Sequence, residues 1–164
     1  MTTISVRARE PRDIEALHEV MSCPGVVHGT MQLPLRSLEG RREQYNQSRP
    51  DMHSLVAEVD GRVVGQLGLF LESAARRRHV GSVGMAVHDD FQGRGIGSAM
   101  MAAALELADN WLNLHRIELE VYTDNPAAIR LYEKFGFVIE GTMRHFAFRN
   151  GEYVDAYKMG RVQG

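Results

Sequence analysis

Apolar positions along the chain switch between helical and strand spacing, and ordinary turn signals separate the resulting elements. Ile4 to Arg7 reads as a short strand, and Pro11 to Met21 as a helix with Ile14, Leu17 and Val20 on one side and Pro11 in its first turn. The stretch from Ser22 to about Leu35 carries Pro24, Gly25, Gly29 and Pro34 and reads as a loop. Its length suits a lid or binding loop better than a plain connector. Ser37 is placed to cap a second helix running to about Asn46. His53 to Val59 and Val63 to Leu71 are rich in strand-forming residues and are joined by Asp60-Gly61, a hairpin signal; His79 to Val87 continues the sheet.

After residue 95, Ile96, Ala99, Met100, Ala103, Leu107, Trp111 and Leu114 fall on one helical face, and Arg116 to Tyr122 follows as a strand. Strand, helix and strand in this order predict a right-handed βαβ crossover with two parallel strands. Ligands of α/β folds bind at the edge where the C-terminal ends of such strands lie. Asp124-Asn125-Pro126 opens a short helix with Ala128, Leu131, Tyr132 and Phe135 on one face and Gly136 at its end. Phe137 to Met143 and Tyr153 to Val162 read as a final pair of strands, turned by Asn150-Gly151. The fold class is α/β, with a mixed, mostly antiparallel sheet and helices on both faces.

The chain of 164 residues is read as one domain, able to remove roughly 70% of its unfolded surface from water. Nineteen Lys and Arg against 21 Asp and Glu give no basic field, so nucleic acid is not an expected partner. The N-terminal residues contain no apolar signal region, and no run approaches the ~20 apolar residues of a membrane span. A soluble, cytoplasmic protein with no membrane partner is expected. The lone Cys23 excludes an internal disulfide and suits a reducing compartment; as a loop cysteine it is read as non-catalytic. No metal is expected, because the histidines show no paired ligand spacing on a helix and Cys23 adds none.

Candidate chemistry starts at Val87-His88-Asp89-Asp90-Phe91-Gln92-Gly93-Arg94-Gly95-Ile96-Gly97-Ser98, where a strand ends, glycines crowd a turn and a long helix begins. Such a junction suits a phosphate: glycines let the backbone approach an anion, and the first free NH groups of the helix point at it. The spacing is not that of a dinucleotide fingerprint, and the Gly-Lys-Ser/Thr ending of a P-loop is missing. A second constellation lies downstream, where Asn125 and Tyr132 are about two helical turns apart and share a face.

Gln92-Gly93-Arg94-Gly95-Ile96-Gly97 resembles the Q/R-x-x-G-x-G/A loop of the GNAT superfamily of acyl-CoA-dependent N-acetyltransferases, and the segment Asp124 to Phe137 resembles its N-x-x-A…LY-x-x-x-GF motif. The order of elements over nearly the whole chain is also that of the family. The resemblance implies a sheet splayed around acetyl-CoA, with the pyrophosphate on the NH groups of Gln92 to Ser98 (Gln92, Gly93, Arg94, Gly95, Ile96, Gly97 and Ser98). The pantetheine would lie along Met85, Ala86 and Val87 and beside Asn125. By the same likeness, an amine attacks the thioester directly, a backbone NH of Met85 to Val87 meets the developing oxyanion, and Tyr132 protonates the leaving thiolate. A homodimer is expected by analogy.

The likeness fails at the base. Many family members carry a glutamate on the strand before the glycine loop, but His79 to Val87 has no carboxylate. His79, Glu120 or water relayed by either are the candidates, although Glu118 and Glu120 alternate like an ordinary solvent-facing pair. An α-amino group with a pKa near 8 is already about one-tenth neutral at pH 7, whereas a lysine-like amine near 10.4 is neutral roughly once in 2,500. A free amino acid lies between, because its carboxylate favours the ammonium, and a site without a strong base therefore suits an α-amine better than a lysine or polyamine. Further segments, among them Thr30-Met31-Gln32-Leu33-Pro34 and Arg149 to Tyr157, are similar to the bacterial L-amino acid N-acetyltransferase branch. That likeness implies a small-molecule acceptor, a free amino acid of methionine or phenylalanine type, bordered by Met31, Gln32 and Leu33, with Gln32 bonding its carboxylate or amine. Acetylation of a protein N-terminus, a polyamine or an aminoglycoside, and a non-catalytic CoA sensor, are the alternatives.

Overall fold

Alternating apolar residues become strands in the computed structural model, which describes residues 3–164. These are β1 (Ile4–Ala8), β2 (Met52–Val59), β3 (Arg62–Leu71), β4 (Val80–Val87), β5 (Arg116–Tyr122), β6 (Val138–Arg149) and β7 (Glu152–Val162). They make one seven-stranded mixed sheet in the order β1-β2-β3-β4-β5-β7-β6, in which β4 and β5 are the parallel pair. Packing divides the chain into two units, one formed by the chain up to Leu69 with Gly84–Ala104, the other by Phe70–Val83 and Leu105–Gly164.

In the first unit β1 runs antiparallel to β2, with Ile4 opposite Val59 and Ala8 opposite Leu55. Asp60 (φ 52°) and Gly61 (φ 80°) both take the left-handed conformation that a two-residue hairpin turn needs. A 3-10 turn at Pro11–Asp13 leads into α1 (Ile14–Ser22), whose Leu17 packs on Val56 and Val63. The segment expected to be a loop from Ser22 contains instead a short helix, α2 (Pro24–Gly29). Pro24 occupies the helix's first turn, where its missing NH costs nothing, and Val26 is buried with Val20, Met21 and Ala86. The irregular loop is therefore only Thr30 to Ser37. Ser37 caps α3 (Leu38–Asn46) by accepting from the Gly40 NH at 3.0 Å.

The helix after the glycines is α4 (Ile96–Asn110). Its buried stripe is Ile96, Met100, Met101, Ala104, Leu105 and Ala108, one position round from the expected face. In an alanine-rich helix the apolar stripe can be drawn on either of two adjacent faces, and here larger methionines and Leu105 take the inner one. Trp111 falls beyond the helix end, 74% exposed, with its indole NH on Glu106.

In the second unit Val80, Gly81 and Ser82 pair in parallel with Arg116, Ile117 and Glu118. β7 lies antiparallel to β5, with Glu120 opposite Lys158. β6 and β7 form a hairpin closed by Asn150 (φ 51°) and Gly151 (φ 83°). β6 is longer than the apolar pattern suggests, because its register shifts between Met143 and Ala147, where His145 takes φ 50° and interrupts the alternation. Glu118, expected to face solvent, is buried and receives hydrogen bonds from Arg116 and Arg77 at 2.9 and 3.0 Å. No helix among the described residues is long and apolar enough to cross a membrane.

Candidate active site

The glycine junction lies wholly in the first unit. Gly93 (φ 72°) and Gly95 (φ 82°) sit in the left-handed region, and a Cβ at either would meet nothing within 4 Å. Glycine is thus required there by the backbone, on a surface left open. The Gly95 carbonyl accepts from the Ala99 NH at 3.0 Å and starts α4, whose first-turn NH groups have no partners within the helix. Side chains hold the turn in shape. Gln92 Nε2 donates to the Val87 carbonyl at 2.7 Å, and the Phe91 ring lies under two guanidinium groups, Arg94 at 4.9 Å and Arg62 at 5.1 Å. Open left-handed glycines at a helix start, with Arg94 kept beside them, suit a pyrophosphate. Met85, Ala86 and Val87 lead straight into this turn as the end of β4.

The 3-10 turn just ahead, Asp89–Phe91, contributes residues that the sequence did not single out. His88 is buried; its Nδ1 accepts from the Asp90 NH at 3.1 Å and its Nε2 faces Glu19 Oε1 at 3.3 Å. Asp89 accepts from the Gly25 NH at 2.9 Å and so ties α2 to the same turn. The one available signal was a histidine followed by two acids at the start of a turn, which is weak because histidine is not a preferred cap.

On the loop from Thr30, Met31 and Leu33 are 70% and 71% exposed, while Gln32 between them turns inward. Gln32 Oε1 accepts from Arg41 Nη1 at 2.9 Å. Cys23 donates to the Glu19 carbonyl, and burial raises its pKa, which keeps it a thiol.

The second unit holds the remaining candidates. Asn125 Oδ1 accepts from the Ala128 NH at 3.2 Å, capping α5 (Pro126–Lys134) and leaving its amide NH2 as the end able to reach a ligand. Tyr132, one face along this helix, is buried against Phe137 with ring centroids 6.0 Å apart. Burial pushes its hydroxyl up to about 12. The hydroxyl has no hydrogen-bond partner among the described residues, yet no fully enclosed polar side-chain atom lacks one. It follows that the oxygen is not sealed: a protonated donor stands at the edge of an apolar pack.

Glu120 is exposed and bound by Lys158 Nζ at 2.9 Å. His79 stands before β4, where its carbonyl accepts from the NH groups of His115 and Arg116. The parallel register sets His79 beside His115, roughly 16 Å along β5 from Glu120, so the two are not brought together.

The first unit thus presents a strand, a left-handed glycine turn and a helix start, and the second a capped helix carrying a buried tyrosine. The sequence pattern of the Acetyltransferase (GNAT) family matches residues 15–137. The chain belongs to the GNAT acetyltransferase family. Over 163 residues it is 44% identical to the L-amino acid N-acetyltransferase AaaT of Escherichia coli strain K12, a match covering 99% of this chain and 100% of the relative. Among solved structures it is similar to a GNAT acetyltransferase from Streptococcus pneumoniae (TM-score 0.82, 28% identity, 99% of this chain and 100% of that one). It is also similar to the Vibrio cholerae spermidine N-acetyltransferase in complex with CoA and spermine (TM-score 0.87, 27% identity, 98% and 95% covered). This GNAT chain is an N-acetyltransferase, and acetyl-CoA is the donor its family uses.

Proposed function

We propose that this GNAT enzyme acetylates the α-amino group of free L-amino acids with apolar side chains. The observation that carries the reading is the full-length 44% identity to AaaT. Three features of the site support it. The exposed Met31 and Leu33 offer apolar contacts to an acceptor side chain. β4 carries no carboxylate, and Glu120 is engaged by Lys158, so neither offers a free strong base; a free amino acid's α-amine, less basic than a lysine or polyamine amine, depends on one less.

Acetyl-CoA supplies the activated acyl group. Gln92 to Ser98 hold its phosphates through backbone NH groups, with Arg94 adding charge, while Met85 to Val87 and Asn125 line the pantetheine. As the amine adds and the carbon–sulfur bond breaks, the amine proton leaves to water and Tyr132 gives its proton to the departing sulfur, its hydroxyl then being restored by a proton from water. Burial keeps the Tyr132 hydroxyl protonated at neutral pH, so it stands ready as a donor. The cytoplasm, where thiols stay reduced, suits the unpaired Cys23.

Release of the CoA thiol with a panel of L-amino acids, dipeptides, polyamines and aminoglycosides tests the reading. Methionine and phenylalanine should give the highest kcat/KM. Higher values for spermidine, as the likeness to the Vibrio enzyme would allow, defeat it, and the absence of release with any amine favours a CoA sensor. Tyr132→Phe should leave CoA affinity within about twofold and lower kcat by roughly 10²–10⁴-fold. Unchanged turnover removes Tyr132 as the acid.

A further inference from the structure

Arg41 is the largest fully buried side chain of the protein, 1% exposed on a helix that is otherwise polar. A buried guanidinium is expensive unless anions or well-placed acceptors receive its protons. Its bonds go to neutral groups: Nε donates to His18 Nδ1 at 3.1 Å and Nη1 to Gln32 Oε1 at 2.9 Å. Several acids of the same unit are engaged elsewhere, Glu15 with Arg42, Glu19 with Arg62, and Asp13 and Glu58 with Arg7. Among the described residues no carboxylate pairs with Arg41. Burial and the neighbouring charges of Arg41 and Arg36 lower the His18 pKa, which keeps His18 a neutral acceptor.

This arrangement fixes which end of the Gln32 amide is available. With Oε1 taken by Arg41, the amide NH2 is left as the free end, and it can only donate. Behind it stands a positive charge with no counter-ion. The loop is held in place by Thr30, whose Oγ1 donates to the Val26 carbonyl at 2.6 Å and accepts from the Gln32 NH at 3.3 Å. Met31 and Leu33 flank this donor on the exposed side. A donor backed by a cation and bordered by apolar side chains matches a carboxylate attached to an apolar group. It matches an ammonium poorly.

We propose that Gln32, oriented by Arg41, recognises the α-carboxylate of the acceptor and so distinguishes a free amino acid from its amide and from a polyamine. The inference rests on the acceptor class proposed above. Gln32 touches the substrate; Arg41 and His18 are positioning residues.

The test compares kcat and KM for L-methionine and L-methioninamide in the wild type, Gln32→Glu and Arg41→Gln. Gln32→Glu places a carboxylate against Arg41, so the fold should be kept, while the donor becomes a repelling anion. Its KM for methionine should rise about 10- to 100-fold, the worth of a hydrogen bond to a charged group, with kcat within about twofold and the KM for methioninamide not raised. Arg41→Gln should shift the preference in the same direction by a smaller factor. Comparing each variant with the wild type cancels the difference in basicity between the two amines. Equal changes for both substrates in Gln32→Glu overturn the inference and leave the acceptor class standing. A wild type that acetylates polyamines but neither methionine nor its amide overturns both.

Discussion

His88 shows how much one side chain can decide near the glycine turn. Because the Asp90 NH donates to Nδ1, the ring hydrogen sits on Nε2 and points to Glu19, whose same oxygen takes Arg62 at 2.6 Å. The turn so capped leads directly into Gln92. Loss of a cap costs about 1 kcal/mol, equivalent to a roughly fivefold change in an equilibrium. His88→Ala should therefore raise the KM for acetyl-CoA several-fold at unchanged kcat. His88→Asn, whose side-chain oxygen can accept from the same NH, should stay within about twofold of the wild type. Equal KM values for the two variants would show that the cap plays no part. Neither His88 nor Arg41 was legible in the sequence: spacing treats Arg41 and Arg42 alike, and only the partners, His18 and Gln32 for one and Glu15 for the other, separate a buried cation from a surface one.

At the level of elements, β5 and its neighbours are joined by charge as well as by backbone pairing. Arg116 reaches both Glu118 and Glu140, and Lys158 bridges Glu118 and Glu120 at 3.1 and 2.9 Å. Burial alone would raise the Glu118 pKa, but hydrogen bonds from Arg116, Arg77 and Lys158 overcome it and hold the group at about 2. A carboxylate depressed in the folded state stabilises the fold above its unfolded pKa of about 4.3 and loses that contribution as pH falls toward 2. Glu118→Gln should therefore be less stable than the wild type at pH 7 by roughly 2–3 kcal/mol, with the gap about halved at pH 3 and closing below pH 2. Thermal unfolding followed by circular dichroism at both pH values measures this; a gap independent of pH would assign the loss to packing. The sequence located β5 to the residue, because its apolar run is bounded by turn residues on both sides. It placed Glu118 in solvent, since alternation cannot foresee Arg77 and Lys158 from other elements joining Arg116 of the same strand on one carboxylate. α2 was hidden for a related reason: Pro24 and Gly25 signal a break, yet Pro24 begins a helix.

For the molecule as a whole, family membership and element order were legible because they rest on two local motifs, Gln92 to Gly97 and Asn125 to Phe137, whose residue types are demanded by backbone shape and capping. Contacts that join distant segments were not. One of them is the bond from the Gly25 NH to Asp89, which fastens the first turn of α2 to the turn before the glycines, while the other end of α2, Gly29, opens onto Thr30 to Leu33. Six residues thus connect the proposed donor loop to the proposed acceptor loop. Occupancy of one should be felt at the other, and thermodynamic linkage makes that influence mutual. The apparent affinity for methionine should change as acetyl-CoA is raised from limiting to saturating, a sign of ordered or synergistic binding. In Gly25→Ala the added Cβ would lie 2.5 Å from Asp89 Oδ1 and force the two apart. The two substrates should then bind independently, so that a short helix acts as the communication line of a two-substrate enzyme.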